Sequence, residues 1–275
     1  MSNSFKWRQV WEDNSKANVP DFELDRGISP RDREIETLSE QEHINFIEPG
    51  EFDAVLDAGC GTGVNILRLH SRVRSIMGID YASGSLERCR KRIQAHKIQN
   101  AQVCLASLTA IPLPDHSVNK ILCLSVLQYL DDEEVRHALR EFVRVLVPEG
   151  IIILHVKNSS SLYWSTLQVA KKIKALLGGA KRAYYVRSFG WYVNELGSLN
   201  CRILDYKSFN LLTLDVMPRR LVCFLQGFEL RYQTGFLSRL PFVRRHGADL
   251  KIKAAVDRGP RPAEKPLTSP RASGT

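Results

Sequence analysis

The sequence predicts a doubly wound α/β fold: a mostly parallel seven-stranded sheet, helices on both faces, and a helical insertion ahead of the last strand. Three observations predict it. From Phe52 onward, apolar runs of strand length alternate with longer amphipathic segments, the pattern of strand–helix–strand units. The first run leads straight into a glycine-rich turn, "DAGCGTG". A later run, "IIILHV", is apolar enough to be buried on both faces, as a central parallel strand must be.

Each element has its own local reason. "AVLDAG" reads as the first strand and "VNILRLHSRV" as the helix after the glycine turn; "SIMGIDYA" is the second strand, followed by the helix "SGSLERCRKRIQAHK". "AQVCLAS" and "NKILCLSV" are the third and fourth strands. "DDEEVRHALREFVRVL" opens with four acids, which suit the positive end of a helix dipole, and "VPEG" ends it before "IIILHV". Further on, "SSSLYWSTLQVAKKIKALLGG" has serine caps and a glycine stop, and "FGWYVNELGSL" is a helix that Ser188 can cap. "CRILDYKSFNLL" and "ADLKIKAAV" are the sixth and seventh strands. Between them, Leu221, Phe224, Leu225 and Phe228 recur at the helical period inside an insertion at 211–247. Residues 1–50 read as an N-terminal helical cap, with Phe5, Trp7 and Trp11 near one face of a short helix, and 51–257 as the main domain. The proline-rich stretch 258–275 has almost no large apolar residue and is expected to be disordered.

With 44% hydrophobic and 25% charged residues, the 275-residue chain has an ordinary globular composition and no run long enough to span a bilayer. The charged N-terminus lacks the apolar core of a secretory signal. Six scattered cysteines, with no C-x-x-C pair, suit reduced thiols in the cytoplasm, and neither they nor the seven dispersed histidines have metal-ligand spacing. From Ser159 on there are 20 basic and 7 acidic residues, leaving 19 basic and 23 acidic before it. A basic C-terminal part fits an anionic partner, including peripheral contact with an acidic membrane through the 211–247 insertion, or a solvated surface. Oligomeric state stays open.

The glycines Gly59, Gly61 and Gly63 are spaced G-x-G-x-G. A dinucleotide fingerprint needs its third glycine where Val64 stands, and a P-loop needs a lysine that is missing. Asp57, two residues before the turn, would repel a phosphate; it suits an ammonium group or holds the loop through backbone N–H bonds. Asp80, at the end of the second strand, suits the two hydroxyls of a ribose. The ligand so described is an adenosine with a cationic, amine-bearing appendage and no pyrophosphate, and S-adenosylmethionine fits.

"VLDAGCGTG", "MGIDYA", "IPLPDHSVNKILCLSVLQYL" and "EFVRVLVPEGIIIL", in that order, resemble the class I S-adenosylmethionine-dependent methyltransferases, over roughly Phe52 to Val156. The subgroup most similar includes quinone-biosynthesis, sugar and natural-product methyltransferases. The resemblance implies a Rossmann-like domain in which Asp57, Gly59, Cys60, Gly61 and Gly63 form the cofactor loop. Asp80 would hold the ribose, with Tyr81 beside the adenine. Ser107 and Leu108 would contact the adenine, and Cys123 and Leu124 would line the methionine moiety. The family often has Asp at Ser107 and Asn119 and His at Gln128, so one general base is missing here.

Methyl transfer from a sulfonium mainly requires alignment and exclusion of water, and a base helps only a hydroxyl acceptor. His155, at the carboxyl end of the fifth strand, is the best-placed candidate, or else a packed histidine; Gln128 orients the acceptor or caps its helix. Tyr185 and Arg187 are the candidate acceptor contacts, and Trp7 and Trp11 a candidate lid. A nucleic-acid methyltransferase is disfavoured, because "CLSV" stands where base methylases carry an Asn/Asp-Pro-Pro-aromatic motif and no aromatics interleave the basic run. The expected activity is methyl transfer to a small-molecule or glycan/lipid-linked acceptor, and a non-catalytic cofactor-binding regulator is the remaining alternative.

Overall fold

The computed structural model describes residues 3–16, 41–161, 164, 184–209 and 246–257. The 211–247 insertion, apart from its last residues, and the 258–275 tail lie outside these, as do Tyr163 and most of the expected helix after Ser161.

Seven strands form one sheet: β1 (Ala54–Ala58), β2 (Ser75–Asp80), β3 (Ala101–Leu105), β4 (Val118–Leu124), β5 (Leu146–Lys157), β6 (Cys201–Phe209) and β7 (Asp249–Val256). Their order is β3-β2-β1-β4-β5-β7-β6. The first five are parallel, and β7 runs antiparallel between β5 and β6. β1 is buried along its whole length, which is why its sequence is apolar apart from Asp57.

The helices are α1 (Asn3–Lys16), α2 (Val64–Leu69), α3 (Ser83–Ala95), α4 (Asp132–Val145) and α5 (Phe189–Ser198), and residues 41–47 are also helical. One face of the sheet is covered by α4 and α5. Val135, Ala138, Leu139, Phe142 and Val145 of α4 form its buried stripe, joined by Tyr192 and Leu196 of α5. Burying each large side chain of that stripe contributes about 1.5–3 kcal/mol. The other face packs against α2, Cys89 of α3, and Phe46 and Ile47 of the 41–47 segment.

The acids expected to start α4 form a capping box. Asp131 accepts from Glu134 N at 2.9 Å, and Glu134 accepts from Asp131 N at 2.9 Å. Ser188 caps α5 through Trp191 N, 3.2 Å from its hydroxyl. The register of β5 places His155 opposite Leu124 of β4 on one side and Lys251 of β7 on the other.

Candidate cofactor and acceptor site

In an open sheet of this kind the ligand crevice lies beyond the carboxyl ends of the strands, where the order reverses between β1 and β4. The glycine turn sits there. All three glycines adopt positive φ: 84° at Gly59, 53° at Gly61 and 87° at Gly63. A side chain at Gly59 would run into Val126 and one at Gly63 into Cys89, so the turn is packed on its outer sides. At Gly61 an added Cβ meets nothing within 4 Å. The turn therefore presents bare backbone to open space at its middle glycine. Its start is pinned to β2, with Gly59 N and Cys60 N donating to Ile79 O at 2.8 and 3.0 Å.

Two carboxylates flank this opening. Asp80 accepts from Gly61 N and from Ala82 N, both at 2.9 Å, one bond on each oxygen. Burial pushes its carboxyl upward, and the backbone donors partly oppose this. Asp57 is almost fully buried and accepts from Asn65 Nδ2 at 3.2 and 3.4 Å. Burial raises it to about 7, the Asn65 bond opposes the rise, and the Asp80 charge adds to it. Among the described residues its hydrogen bonds thus run to a side chain of α2, not to the backbone of the loop. Tyr81 follows Asp80, and its buried hydroxyl has no hydrogen-bond partner among the described residues. Ser107 is exposed and shares a 2.8 Å bond with Thr109, beside buried Leu108. Cys60 is buried behind the turn. Cys123 is enclosed in the core with Ile121 and Leu154, while Leu124 packs against the opposite face.

At the far end of β4, Ser125 adopts φ 62°, the left-handed region a serine enters at a cost of about 1–3 kcal/mol. Its N–H donates to His155 O at 2.8 Å, and its carbonyl accepts from Gln128 Nε2 at 2.7 Å. Gln128 is buried and braces this turn. Ser125 Oγ lies 3.2 Å from His155 Nδ1. On the other side of the ring, His155 Nε2 is 3.7 Å from Asp249 Oδ1, an oxygen that also takes Lys157 Nζ at 2.6 Å. Burial lowers His155, against the pull of Asp249. Asp249 lies well below the usual carboxylate range, because His155 and Lys157 outweigh its own burial.

Sequence reasoning missed His43, which reaches this end from the 41–47 segment. It is pushed down to about 3, first by burial and then by Lys251, His155 and Arg68, with neighbouring Asn65 opposing. Its only sequence signal was a histidine just ahead of β1, inside what read as an extension.

α1 packs over the start of α3. Glu12 accepts from Gly84 N at 3.0 Å and from the Ser83 hydroxyl, and Arg88 Nε donates to Ser15 O at 2.9 Å. Trp7 stacks on Tyr184 at 5.2 Å and meets Tyr129 at 4.7 Å, with Trp11 edge-on to Tyr129. Trp164 is buried, and its indole N–H is held by Ala248 O at 2.9 Å. Tyr185 donates its backbone N–H to Gln128 O at 2.9 Å. Arg187, expected as an acceptor contact, is instead buried. Its guanidinium bonds Asp132 at 2.7 Å, Leu127 O at 3.0 Å and Leu130 O at 2.8 Å, clamping the turn after β4 to α4. Among the described residues no group of three or more His, Cys, Asp or Glu side chains could hold a metal ion. No helix among them is long and apolar enough to cross a membrane.

The comparisons with known proteins agree with this geometry. A family model described as a methyltransferase domain matches residues 55–150. Malonyl-[acyl-carrier protein] O-methyltransferase of Serratia marcescens is 31% identical over 134 residues, covering 47% of this chain and 49% of that protein. The protein of the same name from Yersinia pestis is 34% identical over 122 residues, 44% of this chain and 40% of its own. The chain thus spans half or less of these relatives' length. Among solved structures, geranyl diphosphate C-methyltransferase from Streptomyces coelicolor shares the fold, with TM-score 0.59, 15% identity, and 94% and 99% of the two chains covered. Phosphoethanolamine N-methyltransferase 1 of Haemonchus contortus, solved with S-adenosylhomocysteine, has TM-score 0.63 at 16% identity, covering 98% of this chain and 52% of that one. With the sheet order and the open glycine turn on the same stretch of chain, residues 55–150 match a methyltransferase domain and are similar in sequence to S-adenosylmethionine-dependent methyltransferases.

Proposed function

We propose that the chain transfers a methyl group from S-adenosylmethionine to a small-molecule or glycan-, lipid- or carrier-linked biosynthetic acceptor. The observation that carries this reading is the opening at Gly61, flanked by two buried carboxylates that have no Lys or Arg ion-pair partner among the described residues. A backbone that would tolerate a Cβ sterically, yet holds φ at 53°, is shaped for the close approach of a ligand. Asp57, raised to about 7, is a site where a bound cation would recover the energy that burial costs the carboxylate. Each oxygen of Asp80 uses one lone pair on the backbone and has another for a ribose hydroxyl. The residues present therefore fit the family's cofactor.

In this reading the Gly59–Gly63 turn, with Cys60 packed behind it, and Asp57 hold the amino-acid end, and Asp80 holds the ribose. Tyr81, Ser107 and Leu108 flank the adenine. When bound, the cofactor supplies a methyl group already activated on a sulfonium. The protein's task is to orient an acceptor oxygen, nitrogen or carbon and exclude water. The aromatic roof of Trp7, Trp11, Tyr129 and Tyr184 suits the second role, and Tyr185 is the proposed acceptor contact. The malonyl-[acyl-carrier protein] relatives support an acceptor presented on a carrier.

The test has two parts. Calorimetry measures binding of S-adenosylmethionine to the full chain, and tritium transfer from labelled cofactor is followed onto a malonyl thioester, a phenol, a sugar and RNA. Absence of cofactor binding at millimolar concentration would overturn the reading, and an RNase-sensitive product would reassign the acceptor to nucleic acid.

A further inference from the structure

We propose that Ser125, His155 and Asp249 form a proton relay across the ends of β4, β5 and β7, and that the acceptor is accordingly a hydroxyl. The inference rests on the methyltransfer reading and deepens it. Both nitrogens of His155 face protein groups: Nδ1 is 3.2 Å from Ser125 Oγ and Nε2 is 3.7 Å from Asp249 Oδ1. His155 therefore does not meet an acceptor directly, and whatever it does for one passes through Ser125. At 3.7 Å the two atoms make no hydrogen bond, and Nε2 is buried with no hydrogen-bond partner among the described residues, so it is the nearby Asp249 charge that favours the ring proton on Nε2. Nδ1 is then bare and accepts the Ser125 O–H, which leaves the lone pairs of Oγ free to take an acceptor's proton. Ser125 is only partly buried, and its backbone is fixed by bonds to His155 and Gln128 in a conformation that glycine would adopt without strain. What the serine adds at this position is its hydroxyl.

The step balances. The acceptor O–H proton moves to Ser125 Oγ as the serine's own proton moves to His155 Nδ1. The acceptor oxygen forms its bond to the methyl carbon while the carbon–sulfur bond breaks, its electron pair staying on sulfur. The imidazolium formed lies against Asp249, and water takes its proton after release. A carboxylate acceptor carries no proton at neutral pH and has no use for such a chain.

The surroundings keep the ring ready. Lys157 on β5 and Lys251 on β7 disfavour the imidazolium, but each is paired, with Asp249 at 2.6 Å and with Glu42 at 2.6 Å. His43 on the 41–47 segment is neutral at ordinary pH, and the Phe209 ring of β6 packs 4.9 Å from His155. Burial holds His155 below its ordinary value, so it is neutral and able to accept a proton at pH 7.

The deciding experiment is nitrogen-15 NMR of the full chain carrying labelled histidine and saturated with S-adenosylhomocysteine. The relay requires the Nε2–H form of His155 from pH 6.5 to 8. It also requires a change at Nδ1 in Ser125→Gly, with affinity for S-adenosylhomocysteine retained and thermal stability retained or raised. An Nδ1–H form, or an Nδ1 signal indifferent to Ser125→Gly, overturns the relay. With an alcohol or phenol probe, Ser125→Gly should lower kcat on the order of 10²-fold at unchanged cofactor affinity, and Asp249→Asn should move the acid limb of the pH profile downward. Turnover of a carboxylate probe with a flat pH profile overturns the hydroxyl assignment. Failure of the wild-type chain to bind S-adenosylhomocysteine would sink the methyltransferase reading itself, a result distinct from a wrong tautomer.

Discussion

Gly61 donates its backbone N–H to Asp80 at 2.9 Å, joining the turn after β1 to the end of β2. One carboxylate thus shapes the turn, and in the proposed function its remaining lone pairs serve the ribose. Asp80→Ala should weaken S-adenosylmethionine binding by more than tenfold, since losing two hydrogen bonds to a charged acceptor costs about 1.5–3 kcal/mol. Asp80→Asn keeps one acceptor oxygen and should lose less. Calorimetry giving equal affinities for wild type and Asp80→Ala would remove Asp80 from the site.

The three glycines should separate into two classes. Gly59→Ala places a methyl group against Val126, and Gly63→Ala one against Cys89, each at positive φ. Both should destabilise the fold by about 2–4 kcal/mol, from overpacking added to backbone strain. Gly61→Ala meets open space and pays only the left-handed backbone cost, about 1–2 kcal/mol. It should nevertheless impair cofactor binding more than its stability loss explains. Denaturant midpoints read beside calorimetric affinities decide this, and a Gly61→Ala protein with full affinity would contradict the assignment of the open face.

α1 can be loosened without harming the core. Gly84 is the second residue of α3, and its added Cβ would collide with the Ser15 side chain. Alanine is the better helix former by about 1 kcal/mol, so α3 itself should gain. Gly84→Ala is therefore expected to hold or raise the global unfolding midpoint while increasing hydrogen exchange across residues 3–16 and shifting Trp7 and Trp11 fluorescence to the red. If exchange in α1 stays unchanged, its seat on α3 is not what holds it.

What was legible in the sequence was local. The α4 capping box needs only Asp131 and Glu134 three residues apart, and the α5 cap needs only Ser188. The alternation of apolar runs with amphipathic segments carried the seven strands. What a residue at the end of one strand meets on the next depends on strand order, which no local pattern encodes. Asp249 reaches His155 because β7 inserts antiparallel beside β5, and the 3.2 Å approach of Ser125 follows from β4 ending in a left-handed turn. Arg187 misled for a related reason. An arginine in an aromatic stretch reads as a surface or acceptor contact, yet the turn after β4 leaves two carbonyls and Asp132 at hydrogen-bonding distance, enough to bury it.

The ionisation of Asp57 gives a prediction in pH. Its carboxyl is raised from 3.8 to about 7 in the folded protein, so between those values the native state binds more protons than the unfolded chain. Stability from this group therefore falls as pH rises through that window and levels off above it. Asp57→Asn removes the dependence and should make the ligand-free protein more stable than wild type at pH 8. A cation placed beside Asp57 favours the carboxylate, so binding of S-adenosylmethionine near pH 6 should release a proton. Calorimetry in buffers of different ionisation enthalpy reads that proton directly. The expected release is a substantial fraction of one proton at pH 6, falling toward zero at pH 9, and absent in Asp57→Asn. Equal apparent enthalpies in every buffer at pH 6 would mean that Asp57 is already ionised in the free protein, held by Asn65 without need of a ligand.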